Sequence, residues 1–288
     1  MEILSKKTAV LFILPALLLM FLFLIFPAIW TIFLSLSDYS LLRQTLSFVG
    51  LDNFRNLFSD GRFWNSIQLT FIFVIGSAVI GQNILGLLLA LLFYKKDNII
   101  KSITSNLGIV SWIIPSVVVA YLWRAFLNPD YGSLNQILNF VGFSLNVDWI
   151  NTYPMLSIIV FNTWRGTAFA MMLYMSALET IPPSYLETAD VIGASLWRKL
   201  CDIIFPSIKT YMGTCLILIT LWTFNVFTPY LLTAGGPGRA TEILPIYTYF
   251  EAFRHMEFGF GSAISLVMLM INLVFALFYF KLMKGDNK

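Results

Sequence analysis

The run AVLFILPALLLMFLFLIFPAIWTIFLSL at residues 9–36 contains no charged side chain. A helix of about 20 consecutive apolar residues crosses the hydrocarbon core of a bilayer, so this run is long enough to span it. It is too long for the apolar part of a secretory signal, and no small-residue cleavage site follows it. The sequence therefore predicts an uncleaved transmembrane helix at residues 9–37.

Further apolar stretches of similar length follow this helix along the chain. Of the 288 residues, 58% are hydrophobic and only 11% are charged, whereas a soluble domain is about 25% charged. This composition excludes an ordinary soluble enzyme and predicts an all-α, polytopic membrane protein with a single transmembrane domain, residues 1–288. The other spans are predicted at residues 66–93, 104–126, 154–178, 209–232 and 259–283.

Prolines lie inside or near the ends of several predicted spans. Neighbouring helices can satisfy the backbone groups that a proline leaves unpaired inside a membrane. We therefore expect kinks rather than breaks at Pro15, Pro27, Pro115 and Pro229.

The positions of lysine and arginine predict the orientation. With both termini in the cytoplasm, every lysine, including Lys96 and Lys288, lies on the inner side, and Lys and Arg are more numerous inside than outside. Cytoplasmic loops of membrane proteins carry this excess of positive charge. The sequence thus predicts six transmembrane helices with both termini cytoplasmic. The net charge of +3 is too small to indicate a nucleic-acid partner.

The predicted cytoplasmic loop at residues 179–208 is too long for a plain turn between two helices. Ser184-Tyr185-Leu186-Glu187 has the form of a capping box, in which a serine and a glutamate pair with backbone N–H groups at a helix start. Gly193 is a suitable end for this short helix, because glycine tolerates a positive φ angle.

A second short helix is expected from about Ser195, and Pro206 is expected to end it. Its apolar residues recur on one face of a helix. The loop is therefore predicted to consist of two short helices hinged at Gly193. The apolar face contains Leu196, Trp197, Leu200, Ile203 and Ile204.

This loop resembles the conserved loop of binding-protein-dependent ABC-transporter permeases. Their pattern is E-A-A, three residues, G, nine residues, I, one residue, and L-P. Thr188 and Phe205 depart from it, and Ile192 stands where the carbohydrate branch often has aspartate. The matching positions are Glu187, Ala189, Gly193, Ile203 and Pro206.

Two further segments resemble motifs of the maltose- and glycerol-phosphate-type carbohydrate permeases. FVGLDNF at residues 48–54 is similar to F-V-G-L-D-N-[FY]. LTAGGPGRATE at residues 232–242 is similar to L-T-x-G-G-P followed by T-E. The resemblance therefore extends over nearly the whole chain.

The resemblance implies that residues 179–208 form a coupling helix that docks in a cleft of a separate ATPase subunit. Glu187 would then pair with a basic group of the ATPase, and Gly193 would permit a close approach. The simpler alternative is that Glu187 only caps its helix and Gly193 only ends it. The residues predicted to take part in coupling are Glu187, Ala189, Gly193, Ala194, Ile203 and Pro206.

Two helical faces are candidates for contact with a transported substrate. Amide and hydroxyl groups beside an aromatic ring suit a sugar, and relatives of the maltose type bind sugar with these same two spans. The alternative is that these polar groups only form hydrogen bonds between helices, as is common in membrane proteins. The candidates are Asn162, Thr163, Gly166 and Phe169 in the fourth span, with Thr220, Thr223 and Phe227 in the fifth.

Arg165 is the charged residue deep inside a predicted span. A charge within the membrane is a functional hypothesis by default. The alternative is an arginine that faces the helix bundle and pairs with backbone carbonyl groups. The resemblance favours this structural role, because the family often has tryptophan followed by a basic residue here whatever the substrate.

Several kinds of chemistry are missing from the sequence. No Gly-Lys pair occurs, so the chain lacks the phosphate-binding G-x-x-x-x-G-K-[ST] loop. His255 is the single histidine, and with two cysteines it provides neither a tetrahedral metal site nor a catalytic triad. No catalytic residue, metal site or cofactor is predicted in this chain, so ATP and Mg would bind to the partner ATPase.

The sequence as a whole predicts the permease subunit of an ATP-driven importer in the cell membrane, with a carbohydrate as cargo. A glycerol-3-phosphate importer and a self-contained secondary carrier are the alternatives. The carrier is less well supported, because the apolar centres of the spans lack the carboxylates that proton-coupled carriers use. The expected partners are a second, different permease, an ABC ATPase dimer, an extracytoplasmic solute-binding protein and membrane lipid.

Overall fold

The structure is a computed structural model that describes residues 6–44, 46–95, 99–143 and 146–284. Lys96 and Lys288, two of the lysines behind the predicted orientation, lie outside these residues. The described chain is helical, with isolated β-bridges at Ser37–Phe48 and Ser40–Glu257 in place of a sheet. The prediction of an all-α protein is therefore confirmed for the described residues.

Long helices alternate with short ones along the chain. Within the described residues, five helices are long and apolar enough to cross a membrane, and these are α1, α3, α8, α10 and α13. The helices in chain order are α1 (Val10–Ser35), α2 (Asp52–Ser59), α3 (Gly61–Phe93), α4 (Ile99–Ile113), α5 (Ser116–Phe126), α6 (Ser133–Phe140), α7 (Trp149–Thr152), α8 (Pro154–Glu179), α9 (Pro183–Val191), α10 (Leu196–Phe224), α11 (Tyr230–Thr233), α12 (Leu244–Tyr249) and α13 (Phe258–Lys284).

The predicted third span, residues 104–126, is divided between two shorter helices. Helix α4 ends at Ile113 and α5 begins at Ser116, while Pro115 has the extended angles φ −53° and ψ 132°. A proline has no N–H group and disfavours the helical conformation of the residue before it. The prediction of a kink is therefore wrong at Pro115, where the helix breaks. The count of six crossings stays a prediction.

Contacts divide the described residues into two units. The first contains residues from 1–64 and 247–270, and the second contains residues from 65–246 and 271–288. Helices α3 and α13 contribute residues to both units.

The end of α1 in the first unit is held by the motif at residues 48–54. The last carbonyl groups of a helix have no partner within the helix. The Asn53 side-chain amide donates hydrogen bonds to the carbonyl oxygens of Ser35, at 2.9 Å, and Ser37, at 2.7 Å. Gly50 turns the chain with a φ of +60°. This motif therefore satisfies the carbonyl groups that follow the first long helix.

A network of polar side chains is the second feature of the first unit. Arg62 and Glu251 form an ion pair, and their side chains are only 15% and 11% exposed. The Arg62 guanidinium also lies 4.6 Å from the centre of the Tyr247 ring. The Tyr247 hydroxyl donates to Asp60 at 2.7 Å, and burial, followed by this hydrogen bond, raises the pKa of Tyr247 far above its ordinary value. His255 Nδ1 lies 3.0 Å from Glu251.

Close packing between α3 and α8 organises the second unit. Gly81 and Gly86 lie on the face of α3 that meets α8, where an added Cβ would overlap Thr163 and Ala170 respectively. Small residues let membrane helices approach closely, so that polar groups on facing helices come within reach of each other. The glycines of α3 thus bring its backbone against the helix that carries the predicted substrate residues.

The motif at residues 232–242 forms a closed loop in the second unit. Thr241 is fully buried, and its hydroxyl donates to the Gly236 carbonyl at 3.1 Å. The hydroxyls of Thr233 and Thr241 lie 2.7 Å apart. The Leu244 N–H then donates to the Thr70 hydroxyl at 2.8 Å, which ties the end of this loop to α3.

Candidate functional site

A cavity of about 230 Å³ lies among α3, α4, α8 and α10 in the second unit. Its wall combines aromatic rings, amide and hydroxyl groups and one charged side chain. The lining residues are Gln82, Trp112, Asn162, Arg165, Gly166, Ile219, Trp222, Thr223 and Val226.

Three of the predicted substrate residues, Asn162, Gly166 and Thr223, line this cavity. The Asn162 side-chain amide donates to the Ser77 hydroxyl at 2.9 Å and to the Thr223 hydroxyl at 3.4 Å. These bonds connect α8 to both α3 and α10. Asn162 therefore forms hydrogen bonds between helices and lies in the cavity wall at the same time.

The Phe169 ring packs against two tryptophans of the cavity wall. Its ring centre lies 5.7 Å from that of Trp112, nearly parallel to it, and 4.8 Å from that of Trp222. We call Trp112, Phe169 and Trp222 the aromatic trio. Neither tryptophan was among the predicted site residues, because tryptophan in a membrane protein is also expected at the bilayer interface.

The other three predicted substrate residues lie away from this cavity. Thr163 donates to the Ser77 carbonyl at 3.4 Å and lines a separate, mainly apolar cavity of about 640 Å³. Thr220 is buried, and its hydroxyl has no hydrogen-bond partner within the part of the chain that the structure describes. Phe227 stacks on Tyr230 with ring centres 5.0 Å apart. The prediction of Phe227 on a helical face with Thr223 is wrong, because α10 ends at Phe224.

Gln82 is a lining residue that the sequence-based prediction missed. Its side chain is 4% exposed, and its amide donates to the Asn162 backbone carbonyl at 3.1 Å. A Cβ atom at Gly166 would overlap this amide, so Gly166 is needed for Gln82 to reach the wall. The available signal was the polar pair Gln82-Asn83 in the middle of an apolar span.

Arg165 is the charged residue of the cavity wall. It is partly buried, and its Nε atom is buried without a hydrogen-bond partner among the described residues. Among the residues that the structure describes, none forms an ion pair with it. Its role, structural or functional, stays a prediction.

The second candidate site is the segment around Gly193. Gly193 has a φ of +71°, and its N–H donates to the Asp190 carbonyl at 3.1 Å. The Ala194 N–H donates to the Ala189 carbonyl at 2.9 Å. This is a Schellman ending of a helix, so the predicted helix end at Gly193 is confirmed. An ion pair between Lys199 and Asp190 joins α9 to α10.

The start of α9 differs from the predicted capping box. Helix α9 begins at Pro183, with Pro182 in the capping position and no side-chain hydrogen bond to the cap. Proline suits the first helical position because its missing N–H is not needed there. Ser184 consequently lies inside the helix, where its carbonyl accepts a hydrogen bond from the Thr188 hydroxyl at 2.8 Å. The capping-box prediction is therefore wrong.

Pro206 does not end the second helix, contrary to the prediction. Ser195 begins it by accepting a hydrogen bond from the Arg198 N–H at 3.4 Å, and α10 then runs without interruption to Phe224. A π-helical segment at residues 199–204 precedes Pro206 and changes the hydrogen-bond register. Pro206 therefore falls in the first turn of the α-helix that follows, where a missing N–H is tolerated.

Apolar side chains around Gly193 are exposed, and no atom lies within 4 Å of a Cβ added at Gly193. Of the predicted coupling residues, Ala189 is buried, Ala194 and Ile203 are partly buried, and Glu187 and Pro206 are exposed. An exposed apolar patch of this kind marks an interaction surface. The coupling patch comprises Val191 at 88% exposure, Ile192 at 75%, Leu196 at 79% and Trp197 at 71%.

Residues 82–284, which include both candidate sites, match the family described as the inner membrane component of binding-protein-dependent transport systems. The chain belongs to this family. The predicted recognition is thereby confirmed: the protein is a multi-pass membrane protein and an ABC-transporter permease subunit.

Curated permeases resemble the chain over nearly its full length. The trehalose/maltose transport system permease protein MalF of Thermococcus litoralis is 32% identical, with 96% of this chain and 94% of MalF covered. The sulfoquinovosyl glycerol transport system permease protein SmoG of Agrobacterium fabrum is 29% identical, with 98% and 92% covered.

Solved structures share the fold of this permease. A chain of a bacterial ABC transporter that imports the acidic polysaccharide alginate has a TM-score of 0.83 and 23% identity, with 98% of each chain covered. A chain of a bacterial alginate ABC transporter, solved in complex with an alginate pentasaccharide-bound periplasmic protein, has a TM-score of 0.79 and 23% identity.

Proposed function

We propose that this permease forms one half of the membrane pathway of an ATP-driven importer whose cargo is a carbohydrate, an oligosaccharide in particular. The observation that carries this proposal is the cavity in which Trp112 and Trp222, packed against Phe169, lie beside the polar groups of Asn162 and Thr223. A sugar ring has an apolar C–H face and a rim of hydroxyls. Aromatic surfaces with a few convergent polar groups are typical of small-molecule sites.

The relatives support a carbohydrate cargo. MalF is named for trehalose and maltose, and SmoG for a sulfoquinovosyl glycerol. These relatives cover more than nine-tenths of the chain, including the helices that form the cavity. Because the named cargoes differ, the relatives support a carbohydrate as the class of cargo but do not indicate one particular sugar.

The proposed orientation places both termini in the cytoplasm of a cell whose cytoplasmic membrane holds the protein. Helices α4 and α5 together would make the third of six crossings, because their combined length is that of a span. This orientation is supported because it places every lysine on the cytoplasmic side, where membrane proteins carry their excess of positive charge. The segment around Gly193 then lies on the cytoplasmic side.

The coupling patch is the proposed docking surface for an ABC ATPase dimer, which would bind ATP and Mg and carry out hydrolysis. A short helix with exposed apolar residues can be received by a groove of a partner protein. The ion pair between Lys199 and Asp190 would hold α9 against α10, so that movement of the docked helix is passed to the membrane spans. A solute-binding protein would deliver cargo outside, and a second, different permease would complete the pathway.

Reconstitution tests the proposal. The permease pair, the ATPase and the binding protein are placed in liposomes, and uptake of labelled maltotriose and trehalose is measured with and without ATP. We expect uptake that requires both ATP and the binding protein. Trp222→Ala should reduce uptake severalfold, whereas Trp30→Ala, which removes a similarly exposed tryptophan from α1, should not.

Two results would contradict the proposal. Uptake that persists without ATP or the ATPase would identify a self-contained carrier. ATP-dependent uptake of glycerol-3-phosphate, with none of any sugar, would replace the carbohydrate by that cargo.

A further inference from the structure

Two cavities of the second unit follow each other along the same three helices, α3, α4 and α8. One is the mainly apolar cavity of about 640 Å³, and the other, of about 260 Å³, lies where α3 and α8 end and α4 begins. Their lining residues continue each other at helical intervals, with Leu85, Leu89 and Phe93 on α3 and Met171 and Met175 on α8. We call the two cavities together the three-helix groove.

The larger cavity is the apolar part of this groove. Most of its wall consists of leucine, valine, isoleucine, methionine and tryptophan side chains. The hydroxyls of Thr163 and Thr167, which also line it, donate to backbone carbonyl oxygens at 3.4 Å and 2.6 Å. The lining residues Leu85 and Leu107 are exposed in this chain. The groove is therefore open to an apolar molecule that approaches from the side of the helices.

The length of the apolar part matches one leaflet of a bilayer. Along α8 its lining runs from Val160 to Met171. At about 1.5 Å per residue, this stretch is about 16 Å long. Half of a hydrocarbon core about 30 Å thick is about 15 Å. One acyl chain of a lipid therefore has the length of this part of the groove.

The smaller cavity adds charge at one end of the groove. Lys95, Lys101 and Glu179 line it, so its described charged residues sum to one positive charge. The Lys95 Nζ atom lies 5.9 Å from the centre of the Tyr94 ring. Tyr94 directly follows α3, and Glu179 is the last residue of α8. These charges therefore lie where two spans end, which is the level of the lipid headgroups.

We propose that the three-helix groove binds one anionic phospholipid, with its phosphate at Lys95 and Lys101 and an acyl chain in the apolar part. Lysine binds phosphate as a point charge, and basic pockets between membrane helices on the cytoplasmic side bind anionic headgroups. A zwitterionic headgroup would leave the excess lysine charge unbalanced. The proposed orientation places the headgroup in the cytoplasmic leaflet, and the inference does not depend on the cargo.

Native mass spectrometry of the complete transporter tests the charged end. The delipidated complex is titrated with palmitoyl-oleoyl phosphatidylglycerol or phosphatidylcholine, which share their acyl chains and differ in headgroup charge. The wild type is compared with Lys95→Gln/Lys101→Gln and with the control Lys209→Gln/Lys281→Gln. Both control lysines are exposed and lie outside the two cavities.

We expect the wild type to bind one phosphatidylglycerol more tightly than phosphatidylcholine. Lys95→Gln/Lys101→Gln should weaken this binding by about 25-fold, because each lysine near an anionic lipid contributes a factor of about five. The control variant should match the wild type.

A second matched pair of variants tests the apolar part. Leu85→Trp places a larger side chain in the groove. Leu88→Trp is the control, because Leu88 is similarly exposed on α3 but lines neither cavity. We expect Leu85→Trp to weaken phosphatidylglycerol binding severalfold and Leu88→Trp to leave it unchanged. Glycerol phosphate, which has no acyl chain, should not displace the lipid, and displacement would identify a site for free phosphate instead.

The results that would overturn the inference are distinct. Equal binding of the two lipids would exclude an anionic headgroup, and equal binding by the two double-lysine variants would exclude Lys95 and Lys101. If no lipid is bound and a photocrosslinker in place of Leu107 labels the second permease, the groove is a helix interface. If Lys95→Gln/Lys101→Gln does not assemble, competition between the two lipids for the wild type decides the question. Liposome uptake measures the proposed function separately, so each can fail without the other.

Discussion

Replacing Gly193 by asparagine separates the two roles predicted for this glycine, which are docking on the ATPase and ending the helix. With a φ of +71°, Gly193 is in the left-handed region, where a residue other than glycine costs about 1–2 kcal/mol and asparagine costs least. Among the described residues, no atom lies within 4 Å of a Cβ at this position, so the added Cβ meets no clash there. We therefore expect the free energy of unfolding to fall by about 1 kcal/mol.

Gly142 provides a matched control at the end of α6. Its N–H donates to the Asn139 carbonyl at 3.1 Å, and the Phe143 N–H donates to the Leu138 carbonyl at 2.9 Å, which is the same Schellman pattern. Its φ is also positive, at +101°, and an added Cβ likewise meets no atom of the described residues within 4 Å. Gly142→Asn therefore strains the same kind of helix ending, at a local cost at least as large because φ +101° is further from the left-handed region, but lies outside the proposed docking surface.

The assay compares both variants in the assembled transporter. Thermal unfolding should show a small decrease in Tm for Gly193→Asn and a decrease at least as large for Gly142→Asn. ATP hydrolysis stimulated by binding protein and cargo should fall by about tenfold or more for Gly193→Asn, since a loss of 1.4 kcal/mol in docking corresponds to tenfold. Gly142→Asn should stay close to the wild type. Equal stimulation in the two variants would refute docking at Gly193 and leave this residue as the end of a helix.

Three further substitutions test the packing of the cavity wall and the polar contacts of the first unit. Gly166→Ala should overlap the Gln82 amide and lower cargo affinity severalfold with little change in ATPase assembly, and an unchanged affinity would mean that Gln82 is not needed in the wall. Glu251→Gln should replace the ion pair with Arg62 by a neutral contact and lower the unfolding free energy by about 1.5–3 kcal/mol, as thermal unfolding would record. Asn53→Ala removes the two hydrogen bonds at the end of α1 and should cost about 1–3 kcal/mol; a Tm equal to that of the wild type would contradict this role.

Local pattern accounts for most of what could be predicted. The long apolar runs identify α1, α3, α8, α10 and α13, because the need to bury a continuous apolar surface in lipid acts on each segment separately. Gly193 was recognised as a helix end for the same reason, since its positive φ is a property of a few neighbouring residues. The positions of the fixed residues in the loop at 179–208 were sufficient to identify the permease family.

Predictions from local sequence pattern were wrong where the backbone hydrogen bonding of a helix depends on more than residue type. Pro115 breaks its helix, whereas Pro206 lies within one. The difference is the π-helical register before Pro206 and the extended conformation at Pro115. The residue types are the same, so sequence alone could not separate the two cases. The end of α10 at Phe224, which removes Phe227 from the predicted face, is another example.

The sequence by itself determined that the protein is an all-α membrane permease, because hydrophobic run length and motif spacing are properties of the linear chain. Only the tertiary structure decided which side chains share the cavity. Gln82 and Trp112 reach Arg165 because α3 and α4 pack against α8, and α3 does so through glycines that admit a close backbone approach. Contacts between helices so far apart in the chain depend on complementary surfaces rather than on any local pattern.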